Sequence, residues 1–299
     1  MNLAHFFSKR YLIHEQLGAG GEGIIFRATD RLTGKWVAIK RVRLENEAKE
    51  SGQSSYRTSP ADRKLLIANE FQTLATLRHP NIINVLNYGF GTDAGESIPY
   101  FVMEYLPEAK TILDAGRRLS VAHQVDLLFQ MLHALHYLHQ RGILHRDLKP
   151  ANALVVNGHL KLLDFGLSAY LGKAQGTSGT LPYMPPEYMQ DESLSPASDL
   201  YSVGIIGYEL LAGRHPFHVD DPSRLVMDIL FREPDLDMVR APQGVVQILE
   251  RLLAKAPEER FQSAHEVILA LSAALDQPQS ARVFSARPLL LGAKSKSGS

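Results

Sequence analysis

Along the first hundred residues, apolar positions come in short β-branched and aromatic runs broken by polar turns, a pattern that predicts strands. Runs at 11–17 and 23–29 flank a glycine cluster, and a third at 36–42 follows the turn Leu32-Thr33-Gly34. At 62–77 the period lengthens, and Leu65, Leu66, Phe71, Leu74 and Leu77 form a stripe that predicts a helix. Two more β-rich runs follow at 82–88 and 100–105. From about Thr111 the period is helical. The stretch 120–141 carries Val121, Val125, Leu128, Leu132, Leu135 and Leu138 at helical spacing, with Ser120 placed to cap its start and Gly142 to stop it. Buried helices are expected at 198–212 and 245–254, and a last one at 264–275. Strands first and helices afterwards predict an α+β fold of two lobes that meet near 104–107. The boundaries read as a leader at 1–10, a small lobe at 11–105, a large lobe at 106–276 and a tail at 277–299.

Two stretches break the pattern. Residues 45–60 are polar and rich in serine, and 277–299 mixes proline, serine and basic residues; both read as flexible on composition. Leu289-Leu290-Leu291 is a short apolar run within the second, read as tail rather than as a docking motif. The bulk numbers then narrow the function classes. The chain has 299 residues, 45% of them apolar, enough for a sizeable core. Its 32 basic and 32 acidic side chains balance, so no electrostatic footprint points to nucleic acid or to a membrane surface. With no cysteine, disulfides, thiolate metal sites and thiol chemistry are excluded. No charged start followed by an apolar run reads as a signal peptide, and the most apolar stretch, 201–213, is shorter than the roughly 20 residues a membrane span takes. The expected location is the cytoplasm.

Candidate chemistry begins at Gly18, Gly20 and Gly23, a G-x-G-x-x-G. Glycines let backbone N–H groups approach phosphate oxygens, and they also serve tight hairpin turns. A dinucleotide site would need the third glycine to open a helix, but Ile24-Ile25-Phe26 continues as strand. Seventeen residues after Gly23, the run Val37-Ala38-Ile39-Lys40 ends in a lysine. Glu70, between apolar neighbours of the helix expected at 62–77, could reach inward to pair with it and steady the ammonium on α- and β-phosphate oxygens. The densest signal is His145-Arg146-Asp147-Leu148-Lys149-Pro150-Ala151-Asn152, with Asp164-Phe165-Gly166 beginning 17 positions after Asp147. Phosphoryl transfer needs one carboxylate to take the proton of the attacking hydroxyl, and Asn and Asp oxygens to hold Mg²⁺. Asp147 suits the first role, and Asn152 with Asp164 the second. Lys149 can neutralise charge on the transferring group, and Pro150 forces an extended Lys149. His133, His136 and His139 invite a metal reading, but three-residue steps drift around a helix, so they read as a polar helix face.

With these motifs, and with Gly179-Thr180-Leu181-Pro182-Tyr183-Met184-Pro185-Pro186-Glu187 and Asp199-Leu200-Tyr201-Ser202-Val203-Gly204, the chain resembles the eukaryotic-type (Hanks-type) serine/threonine protein kinases over about 11–275. Pro185 and Ala256 stand where that family more often has Ala and Asp. The resemblance implies a bilobal fold, with a small lobe of antiparallel sheet plus one helix and a mainly helical large lobe. It implies ATP and Mg²⁺ as cofactors and protein Ser/Thr hydroxyls as acceptors. ATP would lie under the loop Leu17, Gly18, Ala19, Gly20, Gly21, Glu22 and Gly23. Ile25, Ala38 and Leu154 would sandwich adenine, Glu104 and Leu106 would offer backbone groups, and Met103 would close the back. Glu187 would pair with Arg260, and Asp199 would anchor the catalytic loop. Lys149 and Thr180 fit the Ser/Thr-directed branch. Arg146, joined by Lys173, could dock a phosphate on Thr177 or Ser178, placed there by a transient homodimer. Two alternatives carry other functions: a pseudokinase acting as a nucleotide-binding scaffold, and a small-molecule phosphotransferase.

Overall fold

The runs of the small lobe become β1 (Tyr11–Gly20), β2 (Gly23–Asp30), β3 (Trp36–Val42), β4 (Val85–Asp93) and β5 (Glu96–Glu104). The computed structural model describes residues 9–20, 23–42, 74–93, 96–164, 181–190 and 193–275. All five strands form one antiparallel sheet in the order β1-β2-β3-β5-β4. Alternation along the central strand β3 divides the lobe. Val37 and Ile39 join Tyr11, Phe26, Ala28, Tyr100 and Val102 in a small core on one face. Val42, Phe101 and Met103 belong to the larger core that continues into the second lobe. Ala38 and Lys40, two residues apart in the same strand as Val42, therefore share the face toward the cleft.

Several expected boundaries move. The run expected at 82–88 starts as a strand only at Val85, because the residues before it are bonded elsewhere. Ile82 makes a single parallel bridge to Leu162, flanked by Leu162 N–H to the Asn81 carbonyl at 2.9 Å and Ile83 N–H to the Leu162 carbonyl at 2.9 Å. The run expected at 100–105 begins at Glu96, where β5 pairs back on β4. Of the helix expected at 62–77, residues 74–76 are helical and 62–73 lie outside the described residues.

The large lobe contains α1 (Ile112–Gly116), α2 (Val121–His139), α3 (Pro186–Met189), α4 (Pro196–Ala212), α5 (Pro222–Phe231), α6 (Gln243–Leu252) and α7 (Ala264–Leu275). Ser120 caps α2 as expected, its Oγ accepting from His123 N–H. The long helix α4 is buried on nearly all sides, as its mixed small and apolar sequence allows. A Cβ on Gly204 would press on Leu252 and Leu253, so glycine there lets α6 and its C-terminal turn approach α4 closely. Sequence periodicity missed α5, although Asp221 followed by Pro222 is a helix start; Asp221 Oδ1 accepts from Ser223 and Arg224 N–H. It also missed a second sheet, β6 (Lys110–Thr111), β7 (Ala153–Val156) and β8 (His159–Leu162). Asn157-Gly158, at φ 50° and 80°, turns β7 into β8, a signal legible as a two-residue hairpin.

Candidate active site

A cavity of about 340 Å³ opens between the lobes. Leu17, Gly18, Ile25 and Ala38 form its upper wall, and Leu154 with Leu163 its floor. Met103, Glu104 and Leu106 lie along the connection between lobes. Ile83, Tyr105, Glu108 and Ala109 also line it, and sequence reasoning passed them over because they carry no motif. Ala19, Gly20 and Gly23 sit beyond this wall in the β1–β2 hairpin, where Ala19 pairs with Ile24 and Gly20 with Gly23. Gly23 has a φ of 148°, and a Cβ there would run into the Arg41 carbonyl, so the strand needs glycine at this point. Gly21, Glu22, Glu70, Thr177, Ser178 and Lys173 lie outside the described residues.

The Glu104 side chain is held by two bonds. Its Oε1 accepts from Asn84 N–H and from Lys161 Nζ, both at 2.9 Å. Its own backbone N–H goes to the Asn84 carbonyl at 3.0 Å. The backbone contribution expected of Glu104 therefore reduces to its carbonyl.

Behind the cavity, Lys40 on β3 is 3% exposed and bonds Asp164 Oδ2 at 2.8 Å. Asp164 follows β8 with φ 57°, and Arg146 has φ 64°. Positive φ at non-glycine residues costs about 1–3 kcal/mol and gathers at functional sites. The loop between α2 and β7 holds the other polar groups. Lys149 is extended, at φ −155° and ψ 163°, as the following Pro150 requires, and a 3₁₀ turn, Pro150–Asn152, then points Asn152 inward. Asp147 Oδ2 accepts from Lys149 Nζ at 2.9 Å and Asn152 Nδ2 at 3.0 Å. Asn152 Nδ2 also reaches the Asp147 carbonyl at 2.9 Å. With its amide nitrogen so engaged, Asn152 has Oδ1 to offer a cation. That oxygen and the Asp164 carboxylate are hard donors of the kind Mg²⁺ takes, so the residues fit the metal.

The loop is held from α4. Asp199 Oδ2 accepts from His145 N–H at 2.8 Å and Oδ1 from Arg146 N–H at 2.9 Å. His139 Nε2 lies 2.7 Å from Asp199 Oδ2. This corrects the reading of three histidines as one polar face. Six residues of helix turn His139 by about 120° from His133, from solvent to the core. His133 is exposed, His136 stacks on His265 at 5.3 Å, and His139 is turned to Asp199. Burial alone would raise the Asp199 carboxyl, but the His139 bond and the donors around it hold it below the usual carboxylate range. Burial lowers the His145 imidazole.

Further down, Glu187 pairs with Arg260 through two bonds of 2.8 and 2.9 Å. Arg260 also donates to the carbonyls of Ala197, Ala254 and Lys255, so this buried cation is matched by acceptors. The pair ties the segment 185–187 to the helical core. Among the described residues no helix is long and apolar enough to cross a membrane.

The comparisons with known proteins agree in kind. A family model described as the protein kinase domain matches residues 11–270. A probable serine/threonine-protein kinase of Streptomyces coelicolor is 35% identical over 280 residues, which cover 89% of this chain and 40% of that protein. Serine/threonine-protein kinase PknA of Mycobacterium tuberculosis is 32% identical over 265 residues, covering 86% of this chain and 59% of its own. For serine/threonine-protein kinase PknB of Mycobacterium leprae the figures are 30% over 273 residues, 87% and 42%. The chain thus spans only 40% to 59% of the length of these relatives.

Proposed function

The chain belongs to the protein kinase domain family, and from that premise we propose that it transfers the γ-phosphoryl group of ATP to serine and threonine hydroxyls of proteins. One observation carries the reading: Lys40, Asp164, Asp147, Lys149 and Asn152 converge from β3, the end of β8 and the 145–152 loop beside an apolar cavity between the lobes. Adenine would fill the cavity between Ile25, Ala38 and Leu154. Lys40, supported by Glu70, would steady the α- and β-phosphates. Mg²⁺ held by Asn152 Oδ1 and Asp164 would supply neutralising charge on the phosphate oxygens. Asp147 would receive the proton of the acceptor hydroxyl, already oriented by Lys149 and Asn152. Lys149 would then meet the charge that builds on the transferring group. Every polar group the transfer requires is in the sequence, so nothing favours a nucleotide-binding scaffold.

We further propose that the protein works on cytoplasmic ATP and that two copies meet transiently, one phosphorylating Thr177 or Ser178 of the other. The Arg146 side chain is exposed and would receive that phosphate, with Lys173 beside it. The test of the main reading is incubation with labelled ATP, Mg²⁺ and a basic carrier protein. Label in phosphoserine and phosphothreonine is the expected result. Label in phosphotyrosine, or ATP binding without transfer, would overturn it. Phosphatase treatment that leaves the initial rate unchanged would sink the activation step alone.

A further inference from the structure

The turn Leu181–Tyr183 is fastened by three side-chain bonds. Ser202 Oγ on α4 donates to the Tyr183 carbonyl at 2.8 Å, and Tyr183 Oη donates to Glu209 Oε2, also on α4, at 2.9 Å. Burial and the Glu209 carboxylate push the Tyr183 phenol up, so it remains a donor. The third bond comes from beyond the helix. Gly213, at φ 75°, ends α4 and turns the chain so that His215 Nε2 sits 3.0 Å from the Pro182 carbonyl. A carbonyl only accepts, so Nε2 carries the proton. Nδ1 then accepts from Phe217 N–H at 3.1 Å, with the Phe217 carbonyl 3.2 Å away. The His215 ring also meets Tyr183 edge to face, at 5.8 Å and 87°. Burial favours the neutral ring, against the two carbonyls and Glu209.

The helix α4 sets this turn in register with the reacting groups. Asp199 holds the backbone of His145 and Arg146, next to Asp147, and Ser202 lies one helical turn further along and holds Tyr183. A shift of the 181–183 turn relative to α4 is therefore a shift relative to Asp147. From this geometry we propose that His215 is a positioning residue for the protein acceptor, acting through the Pro182 carbonyl to keep the Leu181–Tyr183 turn in register with Asp147 along α4. The inference rests on the phosphotransfer reading above. It concerns the acceptor and not the nucleotide, because His215 is not among the described residues that line the cavity between the lobes.

The experiment compares the unaltered protein with His215→Ala and His215→Gln in steady-state assays against a Ser/Thr peptide and against ATP. Loss of one such hydrogen bond with its ring packing should raise the peptide KM about three- to ten-fold in His215→Ala, with the ATP KM unchanged. The Gln amide can donate from the place of Nε2, so His215→Gln should recover most of the peptide KM. A peptide KM equal to that of the unaltered protein, or peptide and ATP KM rising together, would overturn the proposal. Amide hydrogen exchange over 181–190 is measured on the same three proteins and needs no turnover. Faster exchange in His215→Ala, reversed in His215→Gln, supports the fastening, and equal exchange in all three overturns it. If the unaltered protein transfers no phosphoryl group at all, the kinase reading fails and the acceptor role with it, while the exchange result still decides whether His215 holds the turn.

Discussion

Two carboxylates of the cleft differ in what surrounds them, as their separate proposed roles would require. Asp147 is almost wholly buried and receives a lysine and an amide on one oxygen. Asp164 keeps some solvent contact and faces Lys40. Asp147→Asn removes a proton acceptor but leaves the cavity walls as they are. Turnover should fall about 10²–10⁴-fold, the usual worth of a general base, with ATP affinity nearly unchanged. Single-turnover kinetics beside a nucleotide titration checks both halves, and near-normal turnover would remove Asp147 from its role. The pair Lys40–Asp164 makes a second prediction. Deleting either partner leaves the other charge in a poorly hydrated place, so Lys40→Met and Asp164→Asn should each lower the melting temperature. The double variant should lose less than the sum, and a coupling of about 1–3 kcal/mol in a double-mutant cycle is expected. A sum that is strictly additive would mean the two are held mainly by other neighbours.

At the scale of elements, Arg10 is a clamp just before β1. Its Nε and Nη2 meet both oxygens of Asp30, at 2.8 and 2.7 Å. Asp30 also accepts from Leu32 N–H and Thr33 Oγ1 in the turn between β2 and β3. The Arg10 guanidinium, the largest influence, takes the Asp30 carboxyl down to about 2. A carboxyl held below its unfolded value of about 4 stabilises the fold above that pH, and the gain disappears as pH falls towards 2. Asp30→Asn should therefore melt below the unaltered protein at pH 6, and the gap should narrow between about pH 4 and pH 2. A gap that stays constant over that range would show that the loss is packing and not charge. The helix α4 acts on several parts at once: Asp199 holds the 145–152 loop, Ser202 and Glu209 hold the 181–183 turn, and Gly204 admits the end of α6. Its sequence predicts a buried helix by composition. That four of its side chains would be polar or absent for separate reasons is not readable from periodicity.

Over the whole molecule, the small lobe is tied to the large one by the segment 81–84. Asn81 and Ile83 bond β8 through the backbone, and Asn81 Nδ2 donates to Gln130 Oε1 at 3.0 Å and to the Leu160 carbonyl at 2.9 Å. Lys161 on β8 completes the tie by bonding Glu104 where β5 ends. Lys161→Met should remove one of the two bonds to Glu104 Oε1 and loosen the wall that would meet adenine. An ATP KM about five-fold higher, with the peptide KM unchanged, is the expected outcome for a partly exposed ion pair worth roughly 1 kcal/mol. This is the converse of the effect expected at His215. Equal effects on both substrates would mean that Lys161 acts on lobe closure as a whole.

What the sequence determined by itself is local. The helix expected at 264–275 is found as Ala264–Leu275, Ser120 caps α2, and Pro150 extends Lys149, because each depends on neighbours within a few residues. The proposal for the 145–152 loop was legible too, since the residue types that phosphoryl transfer would need are packed into one short stretch. Tertiary structure decided the partners. His139 meets Asp199 across 60 residues, a separation with no period that a linear reading could detect, and the pairing of Arg260 with Glu187 across 73 was expected from the family resemblance and not from any period. Ile82 reads as strand from its β-branched side chain, yet its backbone is claimed by Leu162 of the other lobe. The 133–139 histidines look alike along the chain and part company only when the helix has a buried side. Local propensity is a property of adjacent dihedrals. Which polar groups must satisfy one another in the interior depends on where packing leaves them without water.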